Sequence, residues 1–196
     1  MLAEQEVKER NEILDRERNE IFENTIQNIL DELAKIMKEA GNLEELPLDK
    51  AKNIKFGQDG PYSFEITSPK NHYGIADFRF RAGISFSDEN QVIVATIYNI
   101  KIPPEYQFKP NRPIQFNFGK KIISAWYKEF IKYKDRNLMF KAEQFTSSLS
   151  KNWWTSRGYS FPDSQLSIQY MYILGQNIDL DQTDGYYKSS YEINHN

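Results

Sequence analysis

The chain predicts an α+β fold: a long N-terminal helix, an antiparallel meander of four to five strands, and two C-terminal helices packed on one face. Three observations carry this. No Pro or Gly interrupts the first forty residues before Gly41. Alternating apolar segments, broken by turn residues, occupy residues 62–118. Spacings of three and four then return around Ile122 and Leu138.

The helix is predicted from about Glu4 to Ala40. Ile21, Phe22, Ile26, Ile29, Leu30, Leu33, Ile36 and Met37 fall on one face. Gly41 suits the left-handed conformation that ends a helix. About 36 residues extend to ~54 Å, longer than a small domain is wide. The division expected is therefore residues 1–41 as an amphipathic helix with its N-terminal half protruding, 42–175 as the body and 176–196 as a polar, mobile tail. The first twenty residues carry a thin stripe, Val7, Ile13 and Leu14, which Ile21 continues. A stripe this thin is marginal for an isolated helix. These four residues are the expected contact of a short coiled coil, with a second copy or with a partner helix.

The meander follows a connector punctuated by Pro47, Gly57, Gly60 and Pro61. Strands are predicted at Tyr62–Thr67, Tyr73–Phe86 and Val92–Ile102, where β-branched and aromatic residues alternate. Ser87 to Asn90 reads as a four-residue hairpin loop. That loop pairs Phe80 with Ile97, Ala82 with Ala95, and Ile84 with Ile93, and puts Arg79 across from Tyr98. The apolar side is the core face, and Ile26, Leu30, Leu33 and Met37 are expected to cover it. The other side, with Glu65, Asp77, Arg79, Arg81 and Tyr98, is a candidate binding face. A fourth strand is expected at Ile114–Phe118 and a fifth over residues 166–174. Helices are expected after Gly119 and from Asn137. Trp153, Trp154 and Arg157 extend the candidate face as a stacking and neutralising group for single-stranded nucleic acid.

A Pro-rich crossing, Ile-Pro-Pro-Glu-Tyr-Gln-Phe-Lys-Pro at 102–110, is similar to the Pro/Tyr segment of ubiquitin-conjugating enzymes. The element order resembles the RWD and conjugating-enzyme layout. The likeness covers about nine residues and that order. There is no Cys and no His-Pro-Asn, so the resemblance implies a fold and no conjugating activity.

Composition removes several chemistries. With 0 Cys among 196 residues, thiolate nucleophiles, disulfides and Cys-based zinc sites are excluded. The two histidines, His72 and His195, stand in a turn and near the C-terminus. Neither place holds a histidine as a catalytic triad requires. The acidic stretch Asp179 to Gly185 has Asp184 where a calcium loop needs Gly and Ser190 where it needs Glu. No Gly-rich phosphate loop occurs. No catalytic residue, metal ligand or cofactor is therefore assigned. No apolar leader and no run of ~18 apolar residues appears, so a soluble, cytoplasmic protein is expected.

The net charge of −3 is uneven. Residues 1–50 hold seven Lys and Arg against fourteen Asp and Glu, and residues 51–150 hold fifteen against nine. An acidic helix on a mildly basic body points to a non-enzymatic interaction module that self-associates or docks through its helix. The alternatives are a nucleic-acid binder using residues 51–150 and an enzyme of unrecognised type built on Glu65, Asp77, Arg79 and Arg81.

Overall fold

A computed structural model describes residues 2–39, 52–53, 62–68, 78–87, 89–102, 118–143, 148–160 and 170–178. The elements are α1 (Leu2–Glu39), β1 (Lys52–Asn53), β2 (Ser63–Thr67), β3 (Arg79–Ser87), β4 (Val92–Lys101), α2 (Phe118–Ile131), β5 (Asn137–Glu143), α3 (Ser148–Thr155) and β6 (Tyr170–Leu174). A 3₁₀ turn, Gly175–Asn177, ends the described chain. The strands form one sheet in the order β1-β2-β3-β4-β5-β6.

The mixed α and β composition and the long first helix match expectation. The sheet is mixed, however, because β4 and β5 run parallel. A meander cannot make that pairing; a parallel neighbour needs a crossover, and α2 supplies it. The second C-terminal helix expected from Asn137 is instead strand β5 along its first seven residues. Leu138, Phe140 and Ala142 are buried in alternation with half-buried Met139, Lys141 and Glu143. The spacing of four from Leu138 to Ala142 that suggests a helix satisfies a strand equally well, since four is a multiple of two. This order departs from the RWD-like layout. The Pro-rich string from residue 103, the expected strand at 114–117, Asp77, both histidines and residues 179–196 lie outside the described residues.

The β3–β4 register also differs from expectation. Phe86 pairs with Ile93, Ile84 with Ala95, and Ala82 with Ile97. The turn sits one residue further along, with Ser87 paired to Val92. Glu89 and Asn90 both adopt positive φ, at 54° and 67°, which closes the turn locally. Each pairing is displaced by two residues, so every side chain keeps its expected face. Beyond Ala82 the register shifts again: Arg81 pairs with Asn99 and Phe80 with Ile100. Tyr98 is the extra residue of a β-bulge. Without it Ile100 would face away from the core that it packs against.

Helices α1 and α2 lie together on the apolar face. Trp126 of α2 stacks edge-on against Phe80 at 5.6 Å and Phe130 at 4.8 Å. Phe22 of α1 meets Phe64 at 6.1 Å. Ile26 and Leu33 are buried as expected, while Leu30 is half-buried at the margin. Between the helices, the buried Glu129 carboxylate accepts from Thr25 Oγ1 at 3.3 Å, Asn28 Nδ2 at 3.0 Å and Lys132 Nζ at 2.6 Å. Three donors offset the cost of burying that charge.

The N-terminal half of α1 is tied to the two turns at the opposite end of the sheet from β4's carboxyl end. Asn90 is 1% exposed. Its Nδ2 donates to the Leu14 carbonyl at 3.1 Å and to Glu17 Oε2 at 2.8 Å, and its Oδ1 accepts from Arg18 Nε at 2.6 Å. Arg136 donates to the Asn90 carbonyl at 3.1 Å and pairs with Glu17. Arg10 pairs with Glu89 one helical turn further out.

Candidate active site at the carboxyl end of β4

The β4–β5 ladder ends at Ile97 and Ala142. Yet β4 continues to Lys101 in pairing with β3, and Glu143 stays in register with Tyr170 of β6. No β5 residue stands opposite Tyr98 to Lys101 among the described residues. Among the described residues the ladder therefore stops at the β4 bulge, at the carboxyl ends of two parallel strands. Ligands of open α/β sheets bind outside such ends.

Helix α2 begins at the same place. A Cβ on buried Gly119 would lie 3.1 Å from Ile102 Cδ1 and 3.5 Å from the Trp153 ring. The first turn of α2 thus packs closely between the end of β4 and α3. Lys120 and Lys121 follow it, half-exposed. A helix N-terminus with lysines in its first turn favours an anion.

Of the residues expected to form one binding face, the structure makes two groups. Glu65, Arg79, Arg81 and Tyr98 lie on the sheet face opposite the helices, alternating with buried Phe64, Ile66, Phe80 and Ile97. Arg79 Nε is 3.2 Å from Glu65 Oε1. Arg81, not Arg79, stacks on Tyr98, with Cζ 5.3 Å from the ring centroid. The bulge changes the partner: Arg79 pairs with Lys101. The Tyr98 ring lies over Gly83, where a Cβ would stand 2.9 Å from its Cε2 and 3.0 Å from its hydroxyl. Burial pushes the Tyr98 hydroxyl up to about 12, the Glu143 charge adds to this, and Arg81 opposes it. Tyr98 is thus a proton donor at neutral pH. Burial draws Arg81 down from the ordinary guanidinium value.

The second group is at α3. Trp154 is buried and tilts against Tyr159 at 4.8 Å, while Trp153 meets Trp154 edge-on at 4.7 Å. Arg157 stacks over Trp153 at 3.5 Å and donates to its carbonyl at 2.7 Å. The Tyr127 and Tyr159 hydroxyls are 2.9 Å apart in the interior, and burial raises both. Trp153 borders the α2 N-terminus at Gly119, and Arg157 covers Trp153.

The proposed helix contact is divided. Val7 and Ile13 are 58% and 63% exposed, Leu14 is half-buried, and Ile21 belongs to the core. Sequence reasoning did not assign Gly83, Lys101, Gly119, Lys120, Lys121, Lys141 or Glu143 to a site. Lys141 and Glu143 were hidden by the helical reading of β5. A glycine and two lysines opening a helix after a strand were the available signal for the α2 end.

No protein-family model and no curated protein matches the chain. Solved structures do. One is a tyrosine-to-phenylalanine mutant of the AtaT toxin bound to the C-terminus of the antitoxin AtaR and acetyl-CoA, at 10% identity and TM-score 0.39, over 60% of this chain and 71% of that one. Another is an acetyltransferase from Streptococcus agalactiae, at 12% and 0.38, over 74% and 90%. A third is a GNAT-family acetyltransferase from Listeria monocytogenes, at 13% and 0.35, over 76% and 87%. Likeness at this level transfers no residue role. The expectation of a non-enzymatic interaction module with a coiled coil is withdrawn on the packing of the helix, since α1 spends its broad apolar stripe on its own core. Among the described residues no helix is long and apolar enough to cross a membrane, and no group of three or more His, Cys, Asp or Glu is placed to hold a metal.

Proposed function

We propose that the chain is an acyl-transfer enzyme whose donor lies along the end of the β4–β5 ladder. The observation that carries this reading is the early end of that ladder at Ile97 and Ala142, beside the Tyr98 bulge. A strand edge that has no neighbour among the described residues can bind an amide-bearing arm much as it would a strand. The α2 first turn, with Gly119, Lys120 and Lys121, suits the phosphates of the same molecule. A donor combining amides with phosphates meets both features. In such a transfer an amine nitrogen bonds to the acyl carbon, the carbon–sulfur bond of the thioester breaks, and the amine's proton leaves with the thiol.

Acetyl-CoA has this build and is the probe. Calorimetric titration of the full chain should show saturable binding. Lys120→Gln with Lys121→Gln should weaken it by about tenfold or more, equivalent to ~1.4 kcal/mol. Absence of binding to the unaltered chain would overturn the reading.

A further inference from the structure

Tyr98 is the extra residue of the β4 bulge and follows Ile97, where the β4–β5 pairing ends among the described residues. Its ring does not stand over that end. It leans across to β3 and back along the sheet, covering Gly83, whose partner on β4 is Thr96. The fit is close: a Cβ at position 83 would stand 2.9 Å from Tyr98 Cε2, 3.0 Å from its hydroxyl and 3.2 Å from the Tyr62 carbonyl. Any larger residue at 83 therefore moves the ring. Side chains move between staggered positions rather than by small slides. Arg81 flanks the ring on the same face of β3, with Cζ 5.3 Å from the centroid. On the other side Glu143 follows Ala142, the β5 partner of Ile97, and its charge is felt at the Tyr98 hydroxyl. With Gly83 filled and Arg81 beside it, the position left to the ring lies toward β5, over the end of the ladder.

The path of the donor gives that position a consequence. Helix α2 packs on the core face, with Trp126 against Phe80, and Tyr98 lies on the opposite face. A donor with its phosphates at the α2 first turn and its amide arm along the ladder end brings its thioester out on the outer face, beside Tyr98. We propose that Gly83 is the resting place of the Tyr98 ring, and that the ring so held sets how large an acyl group the ladder end admits. Tyr98 is then a specificity-determining residue, and Gly83 a positioning residue that acts through it. This rests on the acyl-transfer reading and adds to it the chemical feature of the donor that the chain discriminates, the length of its acyl chain.

The test titrates the full chain and its variants with CoA, acetyl-CoA and hexanoyl-CoA. CoA has the phosphates and amides but no acyl group, so it reports the arm alone. Gly83→Ala should bind CoA as the unaltered chain does, acetyl-CoA about tenfold more weakly, and hexanoyl-CoA more weakly still. Tyr98→Ala should raise the affinity for hexanoyl-CoA relative to acetyl-CoA. Gly83→Ala combined with Tyr98→Ala should recover acyl-CoA binding, because the obstructing ring is gone although the contact with the Tyr62 carbonyl remains. A merely structural effect of the added methyl would not be recovered in this way. If Gly83→Ala weakens all three ligands equally or none of them, or if the double variant stays as weak as Gly83→Ala, the ring does not stand in the acyl group's path and the proposal is overturned. Tyr98→Ala adds no bulk and decides the matter should Gly83→Ala not fold: an unchanged ratio of hexanoyl-CoA to acetyl-CoA affinity overturns the proposal. In these outcomes the unaltered chain still binds CoA and acetyl-CoA, and the acyl-transfer reading stands. If the unaltered chain binds none of the three, that reading fails and the proposal falls with it.

Discussion

Replacing Asn90 tests how the long helix is held. Its amide makes three hydrogen bonds to α1, at 2.6, 2.8 and 3.1 Å, two of them with the charged Arg18 and Glu17. Bonds to charged groups contribute ~1.5–3 kcal/mol each and neutral ones ~0.5–1.5. Arg18 and Glu17 are partly exposed and regain water when the amide is lost, so the set is worth about 2–3 kcal/mol rather than the full sum. The backbone adds a second cost, because φ at Asn90 is +67°. Asn and Gly tolerate that region, and Ala loses ~1 kcal/mol there. Asn90→Gly should therefore destabilise the chain by ~2–3 kcal/mol and Asn90→Ala by ~3–4. Urea unfolding followed by circular dichroism separates the two. If Asn90→Gly is as stable as the unaltered chain, the amide holds nothing and the clamp on residues 14–18 is refuted. If Gly and Ala lose equally, the backbone argument fails instead.

The pH dependence follows from Glu17, whose carboxyl is held below its ordinary value first by the Asn90 hydrogen bond and then by Arg136. A carboxyl depressed in the folded state contributes stability above its unfolded value and loses it as pH falls through the folded one. Unfolding free energy should thus drop below about pH 4.5, and Glu17→Gln should flatten that drop. Gly83→Ala should cost ~1–3 kcal/mol, because the new Cβ meets the Tyr98 ring at 2.9 Å and the Tyr62 carbonyl at 3.2 Å; a changed near-ultraviolet tyrosine signal would report the ring's displacement. Leu33→Ala, at a site with 0% exposure, should cost ~2–5 kcal/mol. Ile13→Ala, at 63% exposure, should stay within ~0.5 kcal/mol, and equal losses in urea would show that burial along α1 is misassigned.

The sequence by itself determined what local periodicity can encode. The α1 stripe from Ile21 to Ile36, the core faces of β2, β3 and β4, and the amphipathic α2 all follow from spacings of two, three and four within one segment. A face survives a register error of two residues, so Ala82, Ile84 and Ile97 fall on the correct side although their partners differ. What decided the rest is not local. The turn at Glu89 and Asn90 closes where α1 reaches Asn90, through Leu14, Glu17 and Arg18, which are more than seventy residues away. The extra residue at Tyr98 depends on having glycine across the sheet at position 83 to receive its ring. Leu138 and Ala142 fit either element until Ile93 and Ile97 are laid beside them as a parallel neighbour. The candidate site stands at that junction. Its residues come from β3, β4, β5, α2 and α3, each unremarkable in its own segment, and only the crossover through α2 and the bulge in β4 bring their charges to one end of the sheet.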